Sequence, residues 1–233
     1  MAEIPYSTAL IVGVGPGISA SLARALSAAG LKVGLAARNA EKLASLAAEI
    51  GASTFAADAA DPDAVARLFD EADATIGTPD LVVYNPSARV RGRIVDIDAL
   101  DVRRAVEISA FGGFLVTQQA ARRMVPRQHG AILLTGATAS VKGFALSSAF
   151  AMGKFALRGL AQSAARELGP RGIHVVHFVI DGGVRSAIRP DPADNPDSTL
   201  DPDGVAESYL AALRQPRSAW SWEIELRPWV ERF

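Results

Sequence analysis

At 233 residues, 49% of them hydrophobic and 21% charged, the chain has the size and composition of one globular domain with a substantial core. A formal net charge of −1 excludes the electrostatic footprint of a nucleic-acid or anionic-membrane binder, and the absence of cysteine excludes disulfides, thiolate nucleophiles and cysteine metal sites. No run of about 18 or more apolar residues offers a membrane span. His129, His174 and His177 do not cluster as metal ligands, and MAEIPYST lacks a basic start and an apolar signal core, so the expectation is a cytoplasmic protein with no bound metal.

Strand and helix signals alternate along the chain. Residues 9–12 predict a strand. Gly13, Gly15 and Gly17 follow in close succession, and a helix-periodic segment at 18–29 ends at Gly30. That order is strand, glycine turn, helix N-terminus. Glycine lets the backbone approach a phosphate, and the free N–H groups at the helix start point toward its charge. The spacing is not G-x-G-x-x-G, because Ile18 sits where the third glycine would be; it fits the looser G-x-x-x-G-x-G, with Ser19 in the last position. The alternative is a tight strand-to-helix turn with no ligand.

Further along, strands are predicted at 33–37, 53–57, 81–84, 131–135, 174–180 and 222–226. Helices are predicted at 41–50, 61–76 (with Pro62 in its first turn), 101–124, 148–168 and 205–213. Residues 183–203 carry Pro190, Pro192, Pro196 and Pro202 among five aspartates and read as a long loop or lid. Short apolar strands separated by helices indicate an α/β fold, a doubly wound parallel sheet of Rossmann type with helices on both faces, in a single domain. Such a sheet binds its ligand beyond the carboxyl ends of the strands.

The second strand ends at Ala37-Arg38, and no Asp or Glu occurs between Gly13 and Asn39. An acid there would hold a ribose 2′-hydroxyl, whereas an arginine pairs with a 2′-phosphate, so Arg38 indicates NADP(H) over NAD(H). A solvated arginine near a helix start is the alternative. Asp58, after the third strand, is placed either to accept from an adenine amino group or to shape a turn.

With these landmarks the chain resembles the short-chain dehydrogenase/reductase family from about residue 9 to residue 186. The landmarks are Gly13-Val14-Gly15-Pro16-Gly17-Ile18, Asp58, Tyr84-Asn85-Pro86-Ser87 in place of N-N-A-G, GAILLTGATAS at 130–140, FAMGK at 150–154, and Asp181-Gly182 in place of P-G. The resemblance implies a cofactor site at Gly13, Gly15, Pro16, Gly17, Ile18, Arg38, Asp58, Asn85, Ser87, Lys154, Gly182, Val184 and Ser186. It also implies departures. Phe150 stands for the family's catalytic tyrosine, Ala137 for its serine and Ser109 for its helix asparagine; Lys154 alone remains catalytic. In the family that lysine holds the nicotinamide ribose and lowers the tyrosine pKa.

A positioned general acid supplies about 10²–10⁴ in rate, so the usual mechanism cannot run unchanged. Tyr84, Thr138, Ser147, Ser148 and Asp181 are candidate substitutes by sequence position. The expected activity is NADP(H)-dependent hydride transfer to a carbonyl- or imine-like small hydrophobic substrate, with non-standard proton delivery. The alternatives are a nucleotide-binding protein without turnover and a non-redox isomerase or cyclase on the same fold. Phe111 and Phe144 are expected as apolar neighbours of Phe150. A homodimer or homotetramer is implied through the helices at 101–124 and 148–168, and Trp220, Trp222 and Trp229 mark either an interface or the closure of the sheet edge.

Overall fold

The computed structural model describes residues 3–230; residues 1–2 and 231–233, at the ends of the N- and C-terminal stretches read above, lie outside the described residues. The strands are β1 (Thr8–Val12), β2 (Lys32–Ala37), β3 (Ser53–Ala56), β4 (Leu81–Tyr84), β5 (Gly130–Thr135), β6 (Ile173–Ile180) and β7 (Glu223–Leu226). They form one all-parallel sheet in the order β3-β2-β1-β4-β5-β6-β7. β1, β4, β5 and β6 are buried along their whole length, which is why they read as continuous apolar runs and not as alternating ones. The helices are α1 (Ile18–Ala28), α2 (Ala44–Ile50), α3 (Pro62–Thr75), α4 (Ala99–Val106), α5 (Gly112–Met124), α6 (Ser148–Leu168) and α7 (Pro202–Leu213). Leu22 and Leu26 of α1, Ala47 of α2 and Tyr209 of α7 pack into one core; Leu68 of α3, Val116 of α5 and Leu157 of α6 pack into the other, across the sheet. The strand order reverses between β1 and β4, so a crevice opens above their carboxyl ends. Among the described residues no helix is long and apolar enough to cross a membrane.

Three elements differ from the sequence expectation by more than a residue at an end. The helix expected at 41–50 begins as a 3₁₀ turn, Ala40–Leu43, because the Asn39 side chain accepts from the Glu41 N–H at 3.0 Å. The helix expected at 101–124 is two helices joined by a wide π turn, Glu107–Phe111. That turn frees the Ile108 carbonyl to accept from the buried Tyr84 hydroxyl, and it turns Ser109 inward, where Oγ accepts from the Ala88 N–H at 3.2 Å. Finally, α7 starts at Pro202 because Asp201 caps it, accepting from the Asp203 N–H at 3.1 Å. Part of the expected lid is therefore helix cap.

The histidines of β6 are structural. His174 stacks on Trp220, ring centroids 4.5 Å apart, and its Nε2 lies 2.9 Å from the Ser221 carbonyl. His177 Nδ1 lies 3.0 Å from Glu223 Oε2, and Arg158 donates to both oxygens of the same carboxylate at 2.6 and 2.7 Å. Burial pushes both imidazoles below their usual pKa, His177 to about 4. Trp220 and Trp222 thus pack on this chain's own sheet edge, Trp222 beneath the Arg158 guanidinium; Trp229 stays exposed.

Candidate active site

Two cavities open side by side above the carboxyl ends of the strands and share Asn85 and Ser87. The outer one holds about 640 Å³ and the inner about 360 Å³. The glycine turn serves both, giving Gly13 and Val14 to the outer cavity and Ile18 to the inner.

The turn is built for close approach. Gly17 precedes α1 with φ 103° and ψ −134°, a conformation glycine alone adopts readily. A Cβ on Gly13 would sit 2.6 Å from the Pro86 ring. A Cβ on Gly15 or Gly17 would meet nothing within 4 Å, so the open side of both is available to a ligand. α1 has no side-chain cap and no acid in its first turn, which leaves its N–H groups and its positive dipole end for an anion. Gly15, exposed Pro16 and Gly17 line neither cavity but sit at this helix start. Asn85 locks the turn to the sheet: its N–H donates to the Val12 carbonyl at 2.9 Å, and its side-chain amide donates to Ser19 Oγ at 2.6 Å.

The outer cavity is walled by Arg38 after β2 and by Asp58 after β3. Arg38 is exposed, and Lys42, one turn further on, lines the same cavity. Neither has an ion-pair partner among the described residues. Asp58 Oδ1 accepts from the Ala60 N–H at 3.0 Å, so Asp58 shapes the turn and also faces the cavity. Arg104 of α4 lines this wall too. Lys42 and Arg104 do not stand out in the sequence, although the spacing of Lys42 from Arg38 along a short turn is a usable signal.

The inner cavity brings together Ala137, Phe150 and Lys154 with Gly182, Val184 and Ser186. Lys154 is buried, and its ammonium donates to the Thr135 carbonyl at 2.6 Å. Burial, with the nearby Arg89 charge, pushes its pKa down to about 7. Its Nζ lies 6.0 Å from the Phe150 ring centroid. Ser186 sits in a tight turn, exchanging backbone bonds with Arg189 at 3.0 Å, and Val184 bridges to Leu200.

The substitute donors expected from sequence position do not reach this cavity. The Tyr84 hydroxyl is spent on Ile108, and burial raises its pKa further. Asp181 pairs with Arg227 at 3.3 Å. Thr138, Ser147 and Ser148 lie outside the lining. Phe111 and Phe144 do not line this cavity either: Phe111, in the π turn, is partly exposed and stacked on Phe114, and Phe144 lies exposed beneath Lys142. Arg89 fills the place expected of them, its guanidinium 4.4 Å from the Phe150 ring centroid. Among the described residues no three His, Asp or Glu side chains are grouped to hold a metal ion.

A family model described as short chain dehydrogenase matches residues 7–195. Nodulation protein G of Rhizobium sp. (strain N33) is 30% identical over 226 residues, covering 96% of this chain and 88% of its own length. An uncharacterised oxidoreductase of Staphylococcus aureus (strain N315) is 27% identical over 237 residues, covering 98% of this chain and 100% of its own. Among solved structures, a short-chain dehydrogenase from Rhodopseudomonas palustris is 36% identical with a TM-score of 0.83, covering 96% of this chain and 99% of that one. A metagenomic short-chain oxidoreductase in complex with NADP is 25% identical with a TM-score of 0.83, covering 95% and 97%.

Proposed function

This chain belongs to the short-chain dehydrogenase family, and from that premise we propose that it is an NADP(H)-dependent oxidoreductase acting on a carbonyl- or imine-like substrate, with the proton delivered from Lys154. One observation carries the proposal: a single crevice runs from the Arg38–Lys42 pair, past the uncapped start of α1, to Lys154. These residues fit a dinucleotide. Arg38 and Lys42 suit a 2′-phosphate, the α1 N–H groups suit a pyrophosphate, and Asn85, Ser87, Gly182, Val184 and Ser186 frame the inner end. When bound, the nicotinamide supplies the hydride.

The chain's own residues do the rest. Ala137, Phe150 and Ile18 give the inner cavity apolar wall beside the reacting groups. Lys154 Nζ, held by Thr135, is the one lysine of the lining and has a pKa close to neutrality, so near pH 7 it both carries and releases a proton. The compartment we assign is the cytoplasm, where reduced nicotinamide nucleotides are at hand.

The decisive experiment is a fluorescence titration with NADPH and NADH. NADPH is expected to bind at least about tenfold tighter, as two charge-assisted contacts to a phosphate imply. In Arg38→Ala/Lys42→Ala that preference is expected to disappear, with NADH binding unchanged. Equal binding of both nucleotides by the wild type would overturn the cofactor assignment.

The hydroxyl-free Phe150 and Ala137 favour a second reading, a nucleotide-binding protein without redox turnover. A substrate-dependent loss of NADPH absorbance across a carbonyl and imine panel separates the two.

We also propose a homodimer or homotetramer. Phe111 and Phe114 beside Met152 and Phe155 of α6 leave large apolar side chains exposed on the helices that the family resemblance implicates in pairing. Light scattering at micromolar concentration is expected to give a dimer or tetramer mass, and a monomer mass would overturn this.

A further inference from the structure

The inner cavity carries charge of one sign. Its lining includes Arg89, Lys154 and Arg189 and no aspartate or glutamate. The acids of the surrounding loops are engaged elsewhere: Asp181 with Arg227, and Asp191 and Asp201 with Arg185. Arg89 and Arg189 have no side-chain hydrogen bond or ion pair among the described residues. Arg24, Arg123, Arg127, Arg158 and Arg185, by contrast, each hold a carboxylate.

Both free arginines are positioned all the same. Arg89 stacks on Phe150, which fixes the plane of the guanidinium and uses none of its five N–H donors. Arg189 is held by its backbone pairing with Ser186, and its side chain packs on Gly183, where a Cβ would sit 3.0 Å from Nη1. The two guanidinium groups repel each other, and Arg89 also repels Lys154. An anion between them offsets that repulsion. Ile18, Ala137, Phe150 and Ile180 add apolar wall, and Asn85, Ser87, Thr135 and Ser186 are the uncharged polar residues of the lining.

Resting on the reading of this cavity as the hydride-acceptor site, we propose that the substrate is an apolar oxo or imino acid whose carboxylate is clamped by Arg89 and Arg189. The guanidinium fork matches a carboxylate bidentately, and the apolar walls take the remainder of the molecule. A carboxylate on the clamp also favours the charged form of Lys154, so the acid substrate readies its own proton donor. The nucleotide pyrophosphate is the other anion within reach of this rim, and the test separates the two.

Carboxylates and their neutral amides (benzoate with benzamide, phenylacetate with phenylacetamide, hexanoate with hexanamide) are titrated by calorimetry into free and NADP-loaded protein. Wild type, Arg89→Gln and Arg189→Gln are compared, and NADPH affinity is measured on each. At least one acid is expected to bind the wild type about tenfold or more tighter than its amide, and each variant is expected to lose that preference with NADPH binding kept within about twofold. Both arginines lie exposed at the rim, so neither glutamine disturbs the core. Acid and amide binding alike, or neither binding, while NADPH binds, would overturn the clamp and leave the reductase reading standing. Weakened NADPH binding with the acid preference intact would give the pair to the pyrophosphate, which also overturns it. Failure of the wild type to bind NADPH would overturn the reductase reading; the clamp would then stand or fall on the acid preference of the free protein.

Discussion

Above about pH 7, where Lys154 has given up its proton, Phe150→Tyr, alone and with Ala137→Ser, is expected to raise kcat/KM for NADPH-driven carbonyl reduction by about 10²–10⁴, the usual worth of a positioned general acid. Phe150 lines the inner cavity beside Lys154 and Ala137, so a hydroxyl added to its ring joins a wall that already faces the reacting groups. The change adds one oxygen and leaves the Arg89 stacking surface in place. Arg89 supplies positive charge that lowers a phenol pKa toward the working range. Ala137→Ser adds a second donor for the carbonyl oxygen in the same cavity. The measurement is initial-rate NADPH oxidation over a panel of ketones and aldehydes, with nucleotide affinity taken alongside. An unchanged rate in both variants above about pH 7 would show that loss of the Lys154 proton does not limit this protein and would contradict the mechanism proposed.

Lys154→Met is expected to act in opposite directions on catalysis and on stability. Turnover is expected to fall by about 10²–10⁴ as the proton source is removed, and the limb of the kcat/KM profile that falls as pH rises past about 7 should vanish with it. The free fold is expected to gain about 1–3 kcal/mol at neutral pH, or several degrees in Tm, because a buried ammonium is replaced by an apolar chain of similar length, partly offset by the lost bond to the Thr135 carbonyl. The lysine pKa is about 7 in the folded protein against 10.5 in the unfolded chain. Between those values the unfolded state binds more protons, so wild-type stability rises with pH across that window. The advantage of Lys154→Met is therefore largest at pH 7 and below, and it fades toward pH 10.5. Thermal melts of both proteins from pH 6 to 10 check that the advantage fades as pH rises. A less stable variant at every pH would show that the ammonium is held more favourably than its burial implies.

Much of the site was legible because the strand-end rule is local. Once a parallel sheet is recognised, the crevice is lined by one of the first two residues after each strand from β1 to β6, and Gly13, Arg38, Asp58, Asn85, Ala137 and Gly182 all line it. Phe150 and Lys154 follow from the spacing on one helix and do meet in one cavity with Ala137. Tyr84 shows where the rule stops. It ends β4 as expected, yet the π turn offers its hydroxyl a carbonyl, and no local pattern announces that turn. Phe111 departs from its expected place for the same reason, since the wide turn sends Ser109 inward and leaves Phe111 on the surface.

The amino-acid order by itself determined the doubly wound parallel sheet, the glycine turn and the basic end after β2. Hydrophobic periodicity, glycine conformation and charge are properties of short segments. Only the tertiary structure decided that Arg89 stacks on Phe150, that Asp181, Asp191 and Asp201 are drawn to Arg227 and Arg185, and that the cavity around Lys154 is left wholly cationic. Which charge meets which partner depends on segments far apart in the chain converging at one sheet edge, and burial then sets the proton affinity of what is enclosed there.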